Sequence, residues 1–251
     1  MFGIRVLLSE RSLKVDNFDR VDSLGSRNAT TKASPLLSIF TPLRDEAEGI
    51  SDLQDLSMML FRSSVRSFEW FICAPNPSDE LKAFAQETNS FAIRVVLCSF
   101  DTLETKHVEE LRNAPFSSEA ILFNAALSLM SGRYVTFLHL GDSFSPIYYE
   151  LLLYVHASRD GRPAAVGTFW QARDTGKVYS DCIGSTHASV LDDDSFSPGA
   201  VYNRQMVIEA NGLLGRVGSR DCERWEMHYR MTRVNKHSFV TVRDTLYTVA
   251  S

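Results

Sequence analysis

The chain has 251 residues, a formal net charge of -5, and 44% apolar against 23% charged residues. That length accommodates one large α/β domain or two small ones, and the mildly acidic balance excludes a broad electrostatic pull on nucleic acid or anionic lipid. No apolar run is long enough to span a bilayer, and the apolar start Met1–Leu8 is too short for a signal-peptide core, so a cytoplasmic protein is expected.

Residues 1–35 are polar and weakly periodic, closing on Pro35; they read as an arm or linker before a domain over 36–251. Leu36–Phe40 is a short apolar run stopped by Thr41-Pro42, the pattern of a buried strand and a turn. Ile50, Leu53, Leu56 and Leu60 recur at helical spacing. Glu69–Cys73 reads as a second strand, ended by Pro75-Asn76-Pro77. A short helix over 81–88 and a third strand over 93–97 follow. Ser117–Ser131 presents Ile121, Leu122, Ala125 and Leu129 on one helical face, with Gly132 placed as a C-cap. Tyr134–Leu138 is the fourth strand.

Beyond Pro146 the spacing predicts a helix over 148–156 and paired strands over 164–169 and 176–181. A short helix over 205–210 is capped by Asn211-Gly212, and a last helix runs over 221–232. Two strand-like pieces, 239–242 and 246–249, complete the pattern. Strand–helix alternation of this kind implies a Rossmann-like, mostly parallel sheet flanked by helices. Ligands bind beyond the carboxyl ends of such strands, which selects Thr41–Asp45, Ala74–Asp79 and His139–Asp142. Of the four cysteines, none forms a C-x-x-C pair, so a zinc ribbon is not expected and a reducing compartment is. Cys73 and Cys98 lie in apolar runs and read as small core residues. Neither G-x-G-x-x-G nor the P-loop pattern occurs.

Several segments together resemble family 2 glycosyltransferases. Phe123-Asn124-Ala125-Ala126-Leu127, Ser131–Leu138, Gly141-Asp142 and Ser145-Pro146 resemble the family's centre. Ala200–Arg204 with Asn211–Leu214 resembles its acceptor-side segment, and Arg220–Trp225 its late acidic helix. The resemblance runs in the family's order from about Leu36 onward and implies a GT-A fold, with a nucleotide-binding half over 36–145 and an acceptor half over 146–251. It also implies inverting transfer of a sugar from a nucleoside diphosphate donor to a glycan, a lipid-linked or another hydroxyl acceptor in surface polysaccharide synthesis.

On this resemblance a divalent cation, Mn²⁺ or Mg²⁺, offsets the diphosphate charge. Asp142 and His139 fall at the metal position, His139-Leu140-Gly141-Asp142 standing where the family has Asp-x-Asp. Thr41, Arg44, Asn76, Asp79 and Asn124 fall at donor-binding positions, and Asp221 at that of the catalytic base. Several have a plainer alternative: a strand-end histidine at His139, a turn aspartate at Asp142, a Pro-rich turn at Asn76 and Asp79, a solvated loop arginine at Arg44, a first-turn helical acid at Asp221. Ala74-Pro75 stands where the family carries acids. Two functions therefore stand at this point: an active transferase with peripheral membrane contact for a lipid-linked acceptor, or a degenerate GT-A module associated with another transferase.

Overall fold

The computed structural model of the chain describes residues 34–43, 49–89, 93–99, 118–179, 196–213, 221–234 and 238–250. Two hydrophobic clusters lie on the two faces of one sheet, and the alternation of strand side chains sets which residue joins which. In β1 (Leu37–Pro42), Leu37 and Ile39 point to one face and Phe40 to the other; in β2 (Phe68–Cys73), Trp70 and Ile72 oppose Phe71 and Cys73. The first face is covered by α1 (Ile50–Arg62) and α2 (Asp79–Thr88). The second is covered by α3 (Ser118–Leu129) through Leu122, Phe123 and Ala126.

β3 (Ile93–Cys98) and β4 (Tyr134–Phe137) complete a parallel set in the order β3-β2-β1-β4. The chain builds outward from β1 to β3, then crosses back to lay β4 on the other side of β1. That reversal opens a crevice between the carboxyl ends of β1 and β4.

The remaining strands are β5 (Ser143–Phe144), β6 (Pro163–Ala172), β7 (Val178–Tyr179), β8 (Val201–Asn203) and β9 (Ser238–Val249). β8 is antiparallel to β4 and to β6, β9 is parallel to β6, and β5 is antiparallel to β9. The parallel character expected from alternation therefore holds for the first four strands, and the second half of the sheet is mixed. Two reversals return β6 and β9 to the direction of β4, so the carboxyl ends of all six strands from β1 to β4, β6 and β9 lie on one edge. β5 starts six residues after β4 ends yet pairs at the far end of the strand order, which requires the sheet to curl until β9 meets the end of β4.

On the second face, α5 (Arg204–Glu209) and α6 (Asp221–Tyr229) pack beside α3, while α4 (Tyr148–Ser158) joins α1 and α2. α6 ends earlier than its periodicity suggests and continues as one π-helical stretch, Arg230–Val234. The two carboxyl-terminal strand pieces expected from the sequence are one strand, kept against β6 by register shifts around Phe169. Of the strands expected to pair over 164–169 and 176–181, the first runs on to Ala172 and meets β7 only through Trp170 and Gln171, opposite Tyr179 and Val178, while residues 165–169 pair with β8 and β9; residues 180 and 181 lie outside the described residues. Asn211 and Gly212 take the left-handed conformation that ends α5 (φ 63° and 59°).

Gly132 does not cap α3. Its N–H donates to Ser38 Oγ (3.0 Å) and Glu69 Oε1 (3.1 Å), and a Cβ there would lie 2.7 Å from the Ser38 backbone nitrogen. The glycine serves a close approach of two backbones. Glu69 is fully buried and also accepts from Ser38 Oγ, the Ser131 N–H and the Arg94 guanidinium. This buried carboxylate ties β1, β2, β3 and the entry to β4 at the amino ends of the strands, opposite the crevice, so it belongs to the scaffold.

Candidate functional site

At the carboxyl edge, the turn after β4 carries His139 and Asp142. Asp142 is 2% exposed. Its Oδ2 accepts from the Tyr247 hydroxyl (2.6 Å) and the His139 N–H (3.3 Å), and its Oδ1 from the Ala250 N–H (3.1 Å). Burial and the adjacent Asp142 charge push the Tyr247 hydroxyl well above the ordinary tyrosine range, so it stays protonated and donates. The Tyr247 ring packs 5.1 Å from that of Tyr148, whose hydroxyl donates to the Gly199 carbonyl (3.0 Å). Asp142 therefore fastens the end of β9 to the end of β4.

Between them, Gly141 adopts φ 78°, a conformation that suits glycine, and a Cβ there would lie 2.7 Å from that of Ala250. An aspartate at this position would have to displace the end of β9. Arg173, at the end of β6, donates through Nη2 to the Gly141 carbonyl and lies 3.4 Å from Ser143 Oγ, while its backbone N–H donates to Val249.

His139 is a quarter exposed and lies between two carboxylates, Nε2 3.7 Å from Glu119 and Nδ1 3.8 Å from Asp142. These separations exceed hydrogen-bond length. A divalent cation needs several convergent oxygen or nitrogen donors with lone pairs to give. Asp142 directs both oxygens at donors of its own chain, and among the described residues no group of three histidine, cysteine, aspartate or glutamate side chains is arranged to hold an ion. The described residues at this turn do not fit the cation that the resemblance implies.

The other expected donor-binding residues are dispersed. Thr41 is fully buried, its hydroxyl accepting the Trp70 indole N–H (2.9 Å). Asn124 spends both amide atoms on Leu213, Nδ2 donating to the carbonyl (2.6 Å) and Oδ1 accepting the N–H (2.9 Å); it clamps α3 to the segment after α5. Asp79 is 99% exposed in the first turn of α2, paired with Lys82 (2.9 Å), whose hydrogen bond and charge lower the Asp79 pKa. Ser78 caps that helix by accepting the Leu81 N–H. Asn76 is exposed in the turn after β2. Asn76 and Asp79 are exposed beyond the end of β2 and are not tied to another strand or to the segment after α5, whereas Arg44 lies outside the described residues.

Asp221 opens α6. One turn later, Arg224 donates to the Pro198 carbonyl (3.1 Å) and sits 5.9 Å over the ring of Phe137, the last residue of β4. Further along, the His228 ring lies 2.8 Å from the Tyr202 hydroxyl, at mid-strand level of β8. α6 thus descends the sheet with its first turn at the carboxyl edge.

Tyr247, Arg173 and Ala250 were not among the expected site residues. Leu246-Tyr247 is legible as a closing strand, but no spacing reveals that the sheet curls to bring it onto residue 142. No helix among the described residues is long and apolar enough to cross a membrane.

The sequence matches no protein-family model and no curated protein. Solved structures do match in fold. Staphylococcus aureus TarS, residues 1–349 with UDP-GlcNAc, is 12% identical at a TM-score of 0.60, covering 86% of this chain and 58% of its own. The mannosyltransferase PcManGT of Pyrobaculum calidifontis, with GDP-Man and Mn²⁺, is 12% identical at 0.58, covering 94% and 63%. Glucosyl-3-phosphoglycerate synthase of Mycobacterium tuberculosis, with phosphoglyceric acid, is 15% identical at 0.53, covering 85% and 71%. The chain thus spans about three fifths of the first two structures it matches. The curled α/β sheet with its crevice between β1 and β4 is the GT-A glycosyltransferase fold.

Proposed function

We propose that the chain is an inverting glycosyltransferase that moves a sugar from a nucleoside diphosphate donor to the hydroxyl of a glycan or lipid-linked acceptor, in the assembly of a surface polysaccharide. The observation that carries the reading is the first turn of α6, where Asp221 opens a helix at the carboxyl edge of a GT-A sheet. In the proposed reaction the acceptor oxygen attacks the anomeric carbon from the face opposite the diphosphate. The carbon–oxygen bond to the diphosphate breaks, and Asp221 takes the acceptor proton. In this reading Asn76 and Asp79, exposed beyond the end of β2, meet the donor from the β2 side of the crevice. No step is assigned to a metal ion. The protein works in the cytoplasm and meets a lipid-linked acceptor peripherally.

A second reading, a GT-A module that has lost catalysis and partners another transferase, is favoured by Asp142, whose carboxylate is spent on Tyr247 and Ala250, and by Ala74-Pro75 at the end of β2. Calorimetric titration with a panel of nucleoside diphosphates and their sugars separates the two. Saturable binding of one nucleotide is expected for a transferase; a folded chain that binds none is the degenerate module. Given a donor and acceptor, Asp221→Asn should leave donor affinity within about twofold and slow turnover by 10²–10⁴-fold, roughly the worth of a general base. Unchanged turnover would remove Asp221 from the chemistry.

A further inference from the structure

The turn after β4 has no spare carboxylate to hold a cation, and beside it stands a fixed positive charge. Asp142 is 2% exposed and directs its oxygens at Tyr247, Ala250 and the His139 N–H. Gly141 leaves no side chain there, and its left-handed backbone against Ala250 resists one. Arg173 reaches across from the end of β6 to the Gly141 carbonyl. Only its Nη2 is engaged among the described residues, so Nε and Nη1 remain to donate, and the residue is exposed on the carboxyl edge. Its backbone is itself pinned to Val249. A guanidinium held in this way is a planar fork of donors that matches phosphate oxygens.

We propose that this edge binds a diphosphate without a divalent cation, Arg173 supplying the positive charge while Asp142 serves only to lock β9 onto β4. The inference rests on the donor-binding reading above and adds to it the means by which the diphosphate charge is met. It is a binding claim: two negative phosphates are held by a permanent cation that needs no loading, so affinity does not depend on free metal.

The test is calorimetry of the full chain with UDP, GDP and inorganic pyrophosphate, each in EDTA and in Mn²⁺, on wild type, Arg173→Ala and Arg173→Lys. Wild-type affinity for the nucleotide that binds is expected to agree within about twofold between the two conditions. Arg173→Ala is expected to weaken it by about tenfold or more, the usual loss for a charge-assisted hydrogen bond. Arg173→Lys should recover part, keeping the charge and losing the fork. Asp142→Asn should lower the melting temperature while leaving the EDTA and Mn²⁺ affinities equal to each other. Binding that appears only with Mn²⁺, or that ignores Arg173→Ala, overturns the inference and leaves the donor site standing. A folded chain that binds no nucleotide and no pyrophosphate in either condition overturns the donor site itself. The EDTA comparison is made on wild type, so it holds whichever variants fold.

Discussion

His156 is fully buried in α4, its Nε2 2.9 Å from the Val201 carbonyl and its ring 4.5 Å from that of Tyr134. Nδ1 has no hydrogen-bond partner among the described residues. Burial pushes the imidazole down to about 4, with the Arg133 charge acting in the same direction and the Val201 carbonyl opposing. The unfolded chain takes up that proton near the ordinary histidine value of about 6.5. Between these two values the unfolded state binds more protons, so stability falls as pH falls through the window. The whole span is worth on the order of 3 kcal/mol. Urea midpoints should therefore drop between pH 7 and pH 4.5, and His156→Phe should flatten that slope. A variant with the wild-type slope would place the pH dependence on other groups. Nothing in the sequence marks His156 as buried beyond its place on the inner face of an apolar helix, and its bond to Val201 spans 45 residues.

The helices and strands were largely legible because their periodicities are clear and their ends carry local chemistry. Ser78 caps α2, and the left-handed pair Asn211-Gly212 ends α5. Gly132 was misread for the same reason: a glycine just past a helix is locally a cap, whereas its real constraint comes from Ser38, 94 residues away. β1 and the entry to β4 approach so closely there that a methyl group would sit 2.5 Å from Ser38 Oγ and 2.7 Å from its backbone nitrogen. Gly132→Ala should therefore cost about 1–3 kcal/mol as overpacking, with more if the Glu69 hydrogen bonds to Ser131 and Gly132 also part. The urea midpoint measures this directly, and an unshifted midpoint would mean that β1 and β4 can separate freely. Because Glu69 is at the amino ends of the strands, donor affinity in a folded Gly132→Ala chain should not change.

At the scale of the molecule, alternation was enough to anticipate the parallel half of the sheet and the edge its carboxyl ends share. The antiparallel half and its curl were not, since they rest on register between segments far apart in the chain. The candidate site suffered most from this. Thr41, Asn124 and Asp142 are the polar residues that the sequence resemblance assigns to ligands, yet Trp70, Leu213 and Tyr247 engage their polar atoms from other elements. A type of residue at a position is readable along the chain; its hydrogen-bond partner is not.

The bonds from Asp142 to Tyr247 and Ala250 span 105 and 108 residues, and this separation has a meaning for synthesis. At about 5–20 residues per second, the ribosome delivers Tyr247 on the order of 5 to 20 seconds after Asp142. For a little over the first half of that interval, until β8 (Val201–Asn203) is made, β4 presents an open strand edge carrying Val135 and Phe137, and for all of it the Asp142 carboxylate stays hydrated. The nascent sheet is then at its most prone to pair with a neighbouring polypeptide, and a chaperone that shields an apolar strand edge would act on it in this window. The edge is covered when β8 arrives, and β9 later dehydrates the carboxylate and closes the curl, so translational stalling between residues 142 and 201 would harm this protein more than an equal pause before β4.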